Sequence, residues 1–181
     1  MNLNQKALLQ KAQKIRLLLL DVDGVLTDGR ILYNENGREI KVFHVQDGQG
    51  IRWLQRWGME VGFLSGRSSR AVEARAKELG ISLLFQGVKD KIKTFEMILK
   101  RTKFDQEEVC FMGDDFIDLP LLKRVGLSIS VINGHPLVQK EVDYVTRTAG
   151  GNGAVREVSE FILKAQGKWG AILGDYGLIR K

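Results

Sequence analysis

Leu17-Leu18-Leu19-Leu20-Asp21-Val22-Asp23-Gly24-Val25-Leu26-Thr27-Asp28 decides how this chain is read. Four leucines, opened by Ile15, end abruptly in two carboxylates at i and i+2, then a glycine and a threonine. An uninterrupted apolar run of this length marks a strand buried on both faces, so a parallel strand is expected over 15–20. Asp21 then falls where the strand leaves the sheet, and in open α/β sheets that carboxyl end is where ligands bind. Gly24 admits the tight backbone needed just beyond it. Along an extended segment Asp21 and Asp23 point to the same side. Two carboxylates about 4 Å apart repel by about 4 kcal/mol at an effective dielectric of 20, and a divalent cation is the simplest compensation. Taken alone, the stretch also fits a plain strand and an Asp-Gly turn, so the rest of the chain must choose.

Outward from this strand, helical and extended patterns alternate. A polar helix is expected over 2–14. Alternating residues over 30–33 and 38–43 flank Asn34-Glu35-Asn36-Gly37, which reads as a β-hairpin. An isolated hairpin is marginal in water, so this one needs a partner surface. Asp47 opens a helix through Ile51, Trp53, Leu54 and Trp57 that stops at Gly58, its tryptophans read as packing residues. A strand over 60–64 runs into Ser65-Gly66-Arg67-Ser68-Ser69 and a helix over 70–79. A short strand at 83–85 precedes Lys89, Lys91 and a helix to 101. A strand over 109–112 runs into Gly113-Asp114-Asp115-Phe116-Ile117-Asp118 and a helix over 119–125. Further elements are expected at 127–131, 135–140 and 143–146. Gly150-Gly151-Asn152-Gly153 then precedes a helix over 154–165. The tail, 166–181, holds four glycines and is expected to be flexible. This alternation predicts one α/β domain over 1–165, a parallel sheet sandwiched by helices with a hairpin inserted after its first strand.

Composition narrows the function. At 181 residues, 44% hydrophobic and 28% charged, the chain suits one soluble globular domain. No apolar run approaches the roughly 20 residues of a membrane span, and the N-terminus lacks a signal-peptide core. A single cysteine excludes an internal disulfide and makes the cytoplasm the expected compartment. Cys110 sits in Val109-Cys110-Phe111-Met112 and reads as a buried small hydrophobe. The net charge of +6 suits anionic partners, but no nucleic-acid-binding motif accompanies it, and phosphorylated metabolites account for it equally well. His44 and His135 make no metal-ligand spacing.

The loops after the strands carry one kind of cargo: Asp21 and Asp23, then Ser65-Gly66-Arg67, then Lys91, then Asp114 and Asp115 with Asp118 one turn on. A parallel sheet turns all these ends to one edge. Carboxylates, a hydroxyl and an ammonium together suit phosphoryl transfer, in which a carboxylate attacks phosphorus and an aspartyl-phosphate divides a very slow reaction into two steps. Positive charge must bridge anionic Asp21 and an anionic phosphate, and carboxylate-held Mg²⁺ with Lys91 supplies it. Ser65 and backbone N–H groups near the next helix can hold phosphoryl oxygens. Asp23 is left as the acid and base.

These four segments, in this order, resemble motifs one to four of the haloacid dehalogenase superfamily. The resemblance implies a Rossmann-like fold with Asp21 as nucleophile and Asp23 as acid/base. It makes Asp21, the Asp23 carbonyl and Asp114 the Mg²⁺ ligands, with Asp115 and Asp118 in support. Ser65, Gly66 and Lys91 would bind phosphate, Lys91 matching the family's position better than Lys89. Asp21 and Ser65 lie 44 residues apart, and Ser65 and Lys91 lie 26 apart. Neither interval holds the roughly 50 residues of an independent cap domain, so the superfamily's capless type is indicated.

Over nearly its whole length the chain further resembles the phosphatases of 3-deoxy-D-manno-octulosonate 8-phosphate, a sugar acid of lipopolysaccharide precursor synthesis. The supporting stretches are Thr27-Asp28-Gly29, Phe43-His44-Val45-Gln46-Asp47-Gly48, Gly113-Asp114-Asp115, Asp143-Tyr144-Val145-Thr146, Gly150–Glu157 and Ala165-Gln166-Gly167-Lys168. That family forms homotetramers in which hairpins assemble together, neighbouring subunits help close each site and the tail can cover an adjacent one. Asp47, Arg67 and Arg156 then become candidate substrate or interface residues, Arg156 being equally suited to an ion pair with Glu157 or Glu160. A phosphatase of a related acid such as an N-acylneuraminate 9-phosphate, or a non-catalytic module on the same fold, remains an alternative at this point.

Overall fold

A computed structural model describes residues 3–178, the first two of these by backbone alone. Leu17–Leu20 forms β1, and all four side chains are buried. They alternate between two cores. Leu18 and Leu20 join the cluster that holds Ile51, Leu54, Val155 and Val158, whereas Leu17 and Leu19 join Phe95, Ile98 and Phe111. This is why the run carries no polar alternation: each face of the strand meets a helical layer.

The chain continues through β2 (Leu32–Tyr33), β3 (Glu39–Ile40), β4 (Glu60–Leu64), β5 (Leu83–Phe85), β6 (Val109–Gly113), β7 (Leu127–Ser130) and β8 (Tyr144–Val145). The main sheet has the order β5-β4-β1-β6-β7-β8, with every neighbouring pair parallel. The chain builds outward from β1 in one direction, then returns and builds in the other from β6. The β1/β6 boundary is therefore the topological switch point, where a crevice opens at the carboxyl ends. The helices are α1 (Leu3–Lys14), α2 (Val45–Arg56), α3 (Arg70–Glu78), α4 (Lys91–Thr102), α5 (Leu119–Leu122), α6 (Pro136–Gln139), α7 (Ala154–Ala165) and α8 (Trp169–Asp175). Side chains of α2, α3 and α7 fill the first core, and those of α4, α5 and α6 the second. Only β2, β3 and α2 lie between β1 and β4, and only α3, β5, α4 and a 3₁₀ turn, Gln106–Glu108, between β4 and β6. Neither interval holds a cap domain.

Three expectations need amendment. The hairpin strands pair over two residues each, Leu32 with Ile40 and Tyr33 with Glu39, rather than over 30–33 and 38–43. Arg67 bonds Glu39 on one side, but Ile31, Leu32, Tyr33, Ile40 and Val42 are exposed. The helix expected over 119–125 closes at Leu122 and is preceded by a 3₁₀ turn, Phe116–Asp118. The tail, too glycine-rich for its pattern to indicate a helix, forms α8. Tertiary contacts override its glycines: the Trp169 and Tyr176 rings pack edge-on to Trp53, Ile172 is buried, and Arg56 pairs with Asp175 at 2.7 Å. The last three residues of the tail lie outside the described residues.

Asp47 has a structural task. Helix α7 starts at Gly153, whose φ is +101° and which has no side chain to cap the helix. The buried Asp47 carboxylate, reaching across from α2, accepts from Gly153 N at 3.3 Å and Arg156 N at 2.8 Å. Burial raises its pKa, and these backbone donors oppose that rise. Asp47→Ala is expected to cost about 1–3 kcal/mol in urea unfolding, the cost of a lost cap that strands buried N–H groups. An unchanged unfolding midpoint would count against this capping role.

Candidate active site

The carboxyl ends of β1 and β6 are tied together before any side chain is considered, since Asp21 N donates to Met112 O at 3.0 Å. Asp21 leaves β1 buried, 5% exposed. Lys91 is the first residue of α4, whose N-cap Asp90 accepts from Ile92 N and Lys93 N, both at 3.0 Å. That capping sets where the helix begins and aims Lys91 inward. Its ammonium meets Asp21 Oδ1 at 2.9 Å and Asp118 Oδ1 at 2.6 Å. Lys89 is exposed, and of the two lysines it is Lys91 that reaches Asp21.

The 3₁₀ turn carries Asp118 back beneath β6, fully buried. Its other oxygen, Oδ2, accepts from Asp114 N at 3.0 Å and Asp115 N at 3.3 Å. Both Asp118 oxygens are thus engaged, and its work is to hold Lys91 and the Asp114 backbone in place. Asp115 caps the same turn through Phe116 N at 2.7 Å. Asp114 is different: its carboxylate accepts no hydrogen bond from the described residues. Gly24 makes room for it. A Cβ there would lie 2.1 Å from Asp114 Oδ2, on a backbone at φ +90° that side chains rarely adopt.

One oxygen each of Asp21, Asp114 and Asp118 lies within 4.8 Å of the others. Three carboxylates share one ammonium. Burial pushes Asp114 up to about 7, and the charges of Asp21, Asp118 and Asp115 add to it. Burial also raises Asp21, with Lys91 opposing and Asp118 adding. Burial works against the Lys91 ammonium too, but Asp21 and Asp118 outweigh it and hold its pKa above the usual lysine value. The site is short of positive charge, and its donors are hard oxygens, including one carboxylate left without a protein partner. That donor set fits Mg²⁺.

Asp21, Asp23, Gly29, Ser65, Gly66, Arg67, Asp114, Asp115 and Ile117 line a pocket of about 230 Å³. Ser65 is buried, with its Oγ accepting from Arg67 N at 3.2 Å and its carbonyl from Val88 N at 3.0 Å. Arg67 reaches back to Glu39 at 2.7 Å and lies 3.7 Å from Asp23.

Two candidates lie elsewhere. Asp47 caps α7, and Arg156 pairs with Glu160 at 2.8 Å with its guanidinium 3.8 Å over the Trp53 ring. Neither lines the pocket within one chain. Cys110 is buried and its thiol is pushed far up by burial, which removes it as a nucleophile.

Sequence reasoning missed two contributions. Lys41 and Glu39, from the hairpin, stand beside Asp23 and Arg67. Gly150-Gly151 braces the first loop, with Gly151 N donating to Val25 O at 2.9 Å, and a Cβ on Gly150 would fall 1.7 Å from Gly24 O. The glycine run was visible as a signal, but its partner surface was not.

A model of the haloacid dehalogenase-like hydrolases matches residues 83–158. The 3-deoxy-D-manno-octulosonate 8-phosphate phosphatase of Escherichia coli K12 is 49% identical over 158 residues, 87% of this chain and 84% of its own length. That of Yersinia pestis is 46% identical over 160 residues, 88% of this chain and 86% of its own. Among solved structures, the Moraxella catarrhalis 3-deoxy-D-manno-octulosonate 8-phosphate phosphatase, in complex with magnesium ion, phosphate ion and KDO, has a TM-score of 0.92 at 43% identity, covering 97% of this chain and 99% of that one. The cobalt-bound deoxy-D-mannose-octulosonate 8-phosphate phosphatase of Haemophilus influenzae has a TM-score of 0.89 at 40% identity, covering 94% of this chain and 100% of that one. With motif, geometry and likeness agreeing over most of its length, the chain belongs to the 3-deoxy-D-manno-octulosonate 8-phosphate phosphatase family of the haloacid dehalogenase-like hydrolases.

Proposed function

We propose that the chain is a Mg²⁺-dependent phosphatase that converts 3-deoxy-D-manno-octulosonate 8-phosphate to the free sugar acid and phosphate, as its relatives' names indicate for them. The observation that carries this reading is the Lys91-held Asp21 carboxylate beside Asp114, at the mouth of the pocket that also contains Asp23 and Ser65. A carboxylate oxygen of Asp21 attacks phosphorus. The bond from phosphorus to the sugar oxygen breaks while Asp23 gives that oxygen its proton, leaving an aspartyl-phosphate. Asp23 then takes a proton from water, the water oxygen attacks phosphorus, and the bond to Asp21 breaks to release phosphate. Ser65 Oγ and the Gly66 backbone hold phosphoryl oxygens, and Lys91 neutralises charge on Asp21 throughout. Asp21, Asp114 and the Asp23 carbonyl would hold Mg²⁺, while Asp115 and Asp118 orient the loop. When bound, the cation supplies the charge that lets an anionic nucleophile approach an anionic ester.

Phosphate release from a panel of phosphorylated sugars and sugar acids tests this reading. The eight-carbon acid phosphate is expected to give the highest kcat/KM, with activity lost in chelator and restored by Mg²⁺. Preference for an N-acylneuraminate 9-phosphate would overturn the substrate, and absence of Mg²⁺-dependent release would overturn the chemistry. Mg²⁺ at 100 times its Kd is expected to stabilise the fold by about 2.7 kcal/mol, read as a rise in Tm. Asp114→Asn is expected to lose most of that rise, and an unchanged rise would place the ion elsewhere.

The exposed apolar hairpin supports assembly into a homotetramer, each hairpin covered by its neighbours. Residues 1–165 serve as the catalytic domain and 166–181 as its C-terminal tail, in which α8 packs on Trp53. No helix among the described residues is long and apolar enough to cross a membrane. That, with the single cysteine, supports work in the cytoplasm.

A further inference from the structure

The hairpin delivers a buried cation to the site. Glu39 and Lys41, two residues apart on its second arm, face the same way. The Lys41 side chain is only 2% exposed, and its ammonium bonds Asp23 Oδ1 and pairs with Glu39 Oε1 at 3.3 Å. Arg67 closes the ring, with Nη2 on Glu39 Oε1 at 2.7 Å and Nε 3.7 Å from Asp23 Oδ2. Two cations and two carboxylates thus alternate around the Asp23 side chain. An ammonium so deeply buried is costly unless its partners are fixed, and fixing runs both ways: the lysine also restricts the carboxylate it touches. Asp23 lies just before Gly24, at φ +90°, and takes part in no other hydrogen bond among the described residues that would set its side chain. Once Lys41 is gone, the Asp23 side chain, 24% exposed, keeps only the longer Arg67 contact at 3.7 Å.

We propose that Lys41 is a positioning residue for Asp23, holding one carboxylate oxygen so that the other faces the leaving oxygen in the pocket. This rests on the reading of Asp23 as acid and base. It gives the hairpin a task within its own chain, separate from any contact between subunits.

The test compares the Mg²⁺-loaded full chain on two esters by the pre-steady-state release of the alcohol, the step in which Asp23 is the acid, because its later work as base is common to both. Protonation of the leaving group matters for a sugar alkoxide and little for p-nitrophenolate, so loss of an aligned acid separates the two. Lys41→Met is expected to lower the saturating pre-steady-state rate of alcohol release by about 100-fold or more from the sugar-acid phosphate and by less than about threefold from p-nitrophenyl phosphate, with KM little changed. Lys41→Arg should recover part of the loss, and Asp23→Asn should show the same split between esters. Equal losses on both esters, a loss confined to KM, or no loss would overturn the positioning role. A split in Asp23→Asn without one in Lys41→Met overturns that role alone. The absence of a split in Asp23→Asn overturns the acid/base reading and the inference with it. Lys41→Gln is made alongside Lys41→Met, and if neither unfolds cooperatively near the wild-type Tm, Lys41 is structural and the proposal fails.

Discussion

Asp21→Asn is expected to lower phosphate release by roughly 10,000-fold or more, while the fold survives unharmed. An amide has no charge to direct at phosphorus, and no neighbouring group can replace it. Asp118 is fully buried and bound at both oxygens, and the Asp23 carboxylate is paired with Lys41 and Arg67. The stability expectation follows from the same geometry. The asparagine carbonyl can still accept from Lys91, and the substitution removes one negative charge from a buried group of three carboxylates sharing one ammonium. Repulsion falls, so Tm should hold or rise. Phosphate release and thermal unfolding of one preparation check both parts. Retained turnover would remove the nucleophile assignment, and a large drop in Tm would show that the loss reflects misfolding.

Lys91→Met has the opposite profile, with both quantities falling. Methionine fills much of the same volume over the Phe111 ring but leaves Asp21 and Asp118 buried without a counter-charge. Breaking a buried pair from one side costs about 3–5 kcal/mol, because the stranded charges cannot be rehydrated. Urea unfolding measures this directly. Adding Asp118→Asn removes one stranded charge and should recover a substantial part of the stability. It should recover none of the activity, since the charge opposite the incoming phosphate is still missing. An undiminished unfolding free energy in Lys91→Met would contradict the buried-pair geometry, and restored activity in the double variant would contradict the role given to the ammonium.

The fold was legible because its strongest signals are local. Glu60–Leu64, Leu83–Phe85 and Ala154–Ala165 are bounded by the residues that their patterns indicate. Leu17–Leu20 ends where two carboxylates make further burial too expensive. The pocket carboxylates share that legibility, since each follows a strand end. What stayed hidden depends on distant partners. Lys41 is one lysine just beyond a short strand and has no pattern until the hairpin folds back over Asp23. Asp47 reads as a polar residue opening a helix, and only the packing of α2 on α7 turns it into a cap. Trp169–Asp175 has weak local propensity and is helical because Trp53 offers a surface to pack on. The choice between Lys89 and Lys91 hinged on where one helix begins, which Asp90 settles through two hydrogen bonds of its own.

The account depends on a covalent bond between phosphorus and Asp21. Quenching the enzyme with acid during turnover, reducing it with borohydride and digesting it with trypsin isolates residues 17–30, the peptide between Arg16 and Arg30. An acyl phosphate reduces to homoserine and a free carboxylate does not, so the account predicts homoserine at position 21 with Asp23 and Asp28 intact. An unreduced Asp21 in a turning-over sample, or homoserine at position 23 instead, would contradict it.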